Sequence, residues 1–75
     1  MKKKGRVSIM TIQVLAKLPD EVRNNIEELK RMYKNLPDCW SNIHARVSGY
    51  TCALRDAGLI TDRERQILFD YVTTF

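Results

Sequence analysis

One histidine, two cysteines, two prolines and three glycines serve a chain of 75 residues, and each scarcity closes a route to function. With His44 as the single imidazole, a Cys–His nucleophilic pair needs Cys39 or Cys52 beside it. Cys52 lies roughly 12 Å further along a helix axis, and Cys39 falls before or at the helix start, so neither spacing offers a ready hydrogen bond. The three potential ligands do not form the two close pairs that a structural zinc site uses. A helix through both thiols holds them roughly 20 Å apart, against a Cα limit of about 7 Å for a disulfide, so free thiols are expected. Glycine is too sparse for a phosphate-cradling loop, and no nucleophile elbow is present. The carboxylates alternate with basic residues, as solvated ion pairs do. No run approaches the ~18 apolar residues of a membrane span. The segment "VSIMTIQVLA" faintly imitates an export signal, but Ser8, Thr11 and Gln13 interrupt it and no small-x-small cleavage site follows. These absences lead us to expect a cytoplasmic protein that is not an enzyme, with no cofactor, metal, small-molecule substrate or membrane partner.

What is present is a small helical design. A chain of this length forms one domain with a thin core, the kind that gains stability by pairing with a copy or a partner. Lys2, Lys3, Lys4 and Arg6 account for the whole net charge of +4, and the remaining basic and acidic residues balance. Residues 1–9 read as a disordered basic tail, able to act as an arm on nucleic acid or an anionic surface, and residues 10–75 as a single helical domain. Lys4-Gly5-Arg6 is also compatible with purine-rich, ribosome-binding codons, so translation beginning at Met10 is expected as an alternative start.

Periodicity and punctuation predict an all-α fold, a three- to four-helix bundle ending in a capped αα-hairpin. Ile12, Leu15 and Leu18 predict a short helix over 11–18, with strand as a competitor because of the β-branched residues. Pro19 fits the first turn of a helix over 19–34, with Asp20 and Glu21 at its positive end. Val22, Ile26, Leu29 and Tyr33 form its inner stripe, flanked by Met32 and Leu36, and Glu27 to Arg31 is a favourable i,i+4 pair. "NLPD" breaks the chain at 35–38, with Asp38 or Pro37 starting the next helix. Trp40, Ile43, Val47, Tyr50, Leu54 and Ala57 then predict a heptad-like seam. Gly49, mid-helix, suggests a close helix crossing. Gly58 stops this helix, and Thr61-x-x-Glu64 is a capping box for the last one, with Ile67, Leu68, Tyr71 and Val72 inward and Phe75 packing back.

Two functions from different classes follow. The first is a non-enzymatic interaction module that binds a protein partner or itself, using Tyr33, Trp40, Tyr71 and Phe75, since so many rings exceed what a thin core hides. The alternative is a helix–turn–helix-like DNA-binding protein. Its contacts would be Lys2, Lys3 and Lys4 in the tail, Arg63 and Arg65 at the start of the last helix, and Arg46 and Arg55, only roughly on one face of the preceding helix. Against it, Asp62, Glu64 and Asp70 interleave with those arginines and repel phosphate.

The hairpin "LRDAGLIT" followed by Glu64 resembles the short C-terminal domain found at the ends of many bacterial proteins, through Leu54, Gly58, Ile60, Thr61 and Glu64. It departs from that family after the cap, where Arg65-Gln66-Ile67 replaces an acidic-Phe-Lys run. From Met10 onward the chain also resembles small uncharacterised proteins carried by conjugative transposons of Gram-positive gut bacteria, through "LAKLP", a charged helix, and "GY…LRDAGLIT…ER". That resemblance implies an accessory protein of a mobile genetic element.

Overall fold

A computed structural model describes residues 8–74. Lys2, Lys3, Lys4 and Phe75 therefore lie outside the described residues, as does most of the basic segment. Four helices follow in order: α1 (Ile9–Ala16), α2 (Asp20–Asn35), α3 (Trp40–Asp56) and α4 (Asp62–Val72), with a 3₁₀ turn at Pro37–Cys39 between α2 and α3. No strand occurs among the described residues, so the all-α bundle is the fold and the strand alternative for the first segment is excluded.

α1 begins two residues earlier than its pattern predicts. Ser8, in extended conformation, caps it by accepting from the Thr11 amide at 3.2 Å. Its other end is closed from α2: the Arg23 guanidinium donates to the Leu15 and Leu18 carbonyls and pairs with Asp20. Pro19 does not occupy the first helical turn. Its ψ of 152° places it one position earlier, at the N-cap, where its carbonyl accepts the first helical bond from the Arg23 amide. Pro37 opens the 3₁₀ turn, and no side chain caps α3, so Asp38 does not take that role.

The α3–α4 hairpin carries its full chemical punctuation. Gly58 adopts φ +81°, the Gly58 amide reaches the Arg55 carbonyl, and the Leu59 amide reaches back to Leu54, which completes a Schellman stop. Thr61 and Glu64 form both halves of the capping box, at 3.1 and 2.8 Å. Glu64 also holds Lys17 at 2.7 Å, fastening the end of α1 to the start of α4.

α4 packs against each of the other three helices, and α2 packs on α3. The core between them is Val14, Leu18, Ile26, Leu29, Tyr33, Ile43, Val47, Leu54, Ile60, Leu68 and Val72. The α3 seam departs from expectation: its inward face turns toward Thr51, which is fully buried, while Tyr50 is half-buried and Ala57 exposed. Threonine is tolerated there because its hydroxyl donates to the Val47 carbonyl at 2.8 Å. Gly49 is exposed with open space where a Cβ would stand, so no close helix crossing explains it. Arg31 pairs with Glu28 rather than Glu27, because Glu27 is engaged by Tyr71.

Candidate functional site

The corner between α2 and α3 presents the aromatic side chain most suited to recognition. Pro37 and the 3₁₀ turn swing the chain around so that Leu36, 45% exposed, and Trp40, 37% exposed, emerge close together in sequence, next to the exposed thiol of Cys39. Trp40 is held firmly. Its Nε1–H donates to the Tyr33 carbonyl at 2.7 Å, and its ring stacks on Tyr33 with centroids 5.1 Å apart and planes 15° from parallel. Beneath it, His44 meets the Tyr33 ring edge-on and shares a 3.0 Å hydrogen bond between Nε2 and the Tyr33 hydroxyl, and Phe69 of α4 meets the other side of the imidazole. Trp40 and His44 are four residues apart, so one face of α3 supplies both. The ladder Trp40–Tyr33–His44–Phe69 therefore ties three helices together below the corner.

This geometry revises two of the aromatic candidates. Tyr33 is buried, serving as the floor under Trp40 rather than as a contact surface. Tyr71 is half-buried and committed inward: its hydroxyl donates to both carboxylate oxygens of Glu27, at 3.0 and 2.8 Å. Burial, and then the hydrogen bond to Glu27, push the Tyr71 hydroxyl up to about 12. Lys30 lies over the same ring, 4.5 Å from its centroid, and donates to the Tyr71 and Thr74 carbonyls at 2.7 and 2.5 Å. A cation there satisfies the carbonyl end of α4 and its dipole. Burial lowers the Lys30 ammonium from its usual range, partly offset by Glu27.

The arginines of the DNA-binding alternative do not converge. Positions nine apart on a helix point in opposite directions, so Arg46 and Arg55 do not share a face. Arg46 lines a groove beside α2, whereas Arg55 reaches the start of α4. Arg55 pairs with Asp62 at 2.9 Å and with Asp56, and Arg65 also approaches Asp62, at 3.3 Å. Hydrogen bonds from Arg55 and Arg65 hold the Asp62 carboxyl below its usual range, and the bonds to Asp62 and then Asp56 raise Arg55. Among the described residues Arg63 and Arg46 make no ion pair.

The groove at Arg46 is open and shallow, about 220 Å³, lined by Asn25, Glu28, Leu29, Met32, Arg46 and Tyr50. Asn25 bridges it by donating to the Tyr50 hydroxyl at 3.0 Å. Its volume falls below the roughly 300–1,000 Å³ of small-molecule sites. Among the described residues no three His, Cys, Asp or Glu side chains gather to hold a metal, and no helix is long and apolar enough to cross a membrane.

One surface escapes sequence reasoning about aromatics. α1 buries Val14 and Thr11 against the bundle, yet Ile9 (71%), Ile12 (53%) and Met10 (43%) remain exposed. The available signal is that "IMTIQVLA" is apolar on more than one side, which is unusual for a helix with one face in water. Comparison with protein-family models, with curated proteins and with solved structures finds no match to this chain.

Proposed function

We propose that this protein is a non-enzymatic interaction module that binds a protein partner through the Leu36–Trp40 corner. The observation that carries this reading is Trp40 itself: an indole more than a third exposed, yet fixed by a hydrogen bond and a stacked ring before any partner arrives. Aromatic anchors of this kind concentrate interface energy, and a pre-ordered side chain loses less entropy on binding. Leu36 and Pro37 extend the apolar contact beside it. The resemblance to transposon-borne proteins fits an accessory role for a mobile genetic element, a reading that genomic neighbourhood tests. DNA binding is the weaker reading here, because Arg55 and Arg65 are both drawn to Asp62.

The exposed Cys39 thiol gives a direct test. A photo-crosslinker attached to Cys39 in a Cys52→Ala background is expected to capture one discrete adduct in extracts of cells expressing the protein. Leu36→Ser is expected to abolish that adduct without changing the circular dichroism. If the adduct survives in Leu36→Ser, or if none forms, the corner is not the interface. An adduct of twice the chain mass identifies a second copy as the partner.

A further inference from the structure

We propose that the groove between α2 and α3 receives the C-terminal residue of a partner polypeptide, an apolar side chain together with its free α-carboxylate. Asn25, Glu28, Leu29 and Met32 line it from α2, and Arg46 and Tyr50 from α3. The α2 residues step by three and four along one stripe, and Arg46 and Tyr50 are four apart, so each helix turns one face to the same opening. The floor is apolar: Leu29 is buried, and Met32 packs half-buried against the core. The α3 wall differs in kind. Among the described residues Arg46 makes neither an ion pair nor a hydrogen bond, so its guanidinium presents donors without an acceptor. Tyr50 adds a second donor. Its hydroxyl oxygen accepts from the Asn25 amide at 3.0 Å, which ties the two walls together and leaves the hydroxyl proton for a further acceptor.

This chemistry selects the occupant. Two donors, one of them cationic, beside an apolar floor match a group that is anionic at one end and apolar at the other. A C-terminal residue carries both on a single Cα. The groove, about 220 Å³, is smaller than a small-molecule site and suits the end of a chain rather than a folded surface. An acidic side chain inside a segment fits less well, because it brings a carboxylate alone and needs a second residue to cover Met32. A partner rich in phosphate also fits less well. Glu28 lines the same groove, and although it pairs with Arg31 its charge opposes a run of anions. The groove shares no residue with the Leu36–Trp40 corner, so either reading stands without the other.

Titration of the isotope-labelled full chain with N-acetyl-glycyl-glycyl-leucine, followed by NMR, tests this. Saturable shifts are expected at Asn25, Met32, Arg46 and Tyr50. Replacing the terminal carboxylate by an amide is expected to weaken binding at least ~10-fold, the loss of a charge-assisted hydrogen bond. Ending the peptide in glycine rather than leucine is expected to weaken it about 5-fold. Arg46→Gln is expected to weaken it at least ~10-fold and Tyr50→Phe about 5-fold. Arg46 is exposed, so its replacement is expected to leave the unfolding midpoint unchanged. Equal binding of the amide, binding indifferent to Arg46→Gln, shifts centred away from the groove, or no saturable shift would each overturn the proposal. An amidated peptide with an internal aspartate binding as tightly, or inorganic phosphate doing so, would also overturn it and give the groove to an acidic segment or a phosphate instead.

Discussion

Single residues in this protein take roles that their side chains alone do not announce. Tyr71 has the composition of an interface anchor, but its hydroxyl is held by Glu27 across the α2–α4 contact. The consequence is measurable. Because burial, and then the bond to Glu27, push the folded hydroxyl up to about 12, above the ~10 of an unfolded tyrosine, the neutral form is favoured by folding. The stability this contributes is complete below about pH 10 and is lost as pH rises toward about 12. Tyr71→Phe is expected to destabilise by about 1–2 kcal/mol near neutrality, the worth of a half-buried hydrogen bond to a carboxylate. The gap between wild type and variant in urea unfolding should shrink as pH climbs through that window. A gap that stays constant there would contradict the raised titration of Tyr71. Arg55 and Arg65 show the same lesson with the opposite charge: read along the chain they look like phosphate ligands, and in space both turn to Asp62.

Elements were legible where their ends are chemically marked. Gly58, Thr61 and Glu64 specify the α3–α4 hairpin almost without reference to the rest of the chain, because each satisfies a backbone group that a helix end leaves open. Where marking is weak, boundaries drift: α1 starts at Ile9, not residue 11, because Ser8 is its cap, and Pro19 sits before α2 rather than in it. The α3 seam was legible at Ile43, Val47 and Leu54, which are buried, and departs where Thr51 rather than Tyr50 turns inward. Tyr50 and Thr51 are one step apart on the helix, and only packing within the bundle decides which turns inward. A chain beginning at Met10 tests the reading of α1. It would lack the Ser8 cap and place a charged amine at the positive end of the helix dipole. It is expected to lose about 1 kcal/mol in denaturant unfolding, and unchanged stability would mean that Ser8 does not cap.

At the scale of the whole molecule, four short helices close around one mainly aliphatic core. Among the described residues, apolar side chains are left exposed at the Leu36–Trp40 corner and along α1. Trp40 is named by sequence as a contact residue, whereas Leu36 beside it and the outer face of α1 are not, because exposure is a property of docking. Tyr33 and Trp40 are both aromatic and lie near one break, yet one became the floor and the other the surface. The six isoleucines sample this division directly: Ile9 and Ile12 on the outer ridge, Ile26, Ile43 and Ile60 in the core, and Ile67 between. Methyl NMR with a soluble paramagnetic agent reads all of them in one spectrum. Strong broadening of Ile9 and Ile12, with Ile26, Ile43 and Ile60 unaffected, is the expected result. Uniform protection of all six, or uniform broadening, would contradict a closed helical core carrying an uncovered apolar ridge.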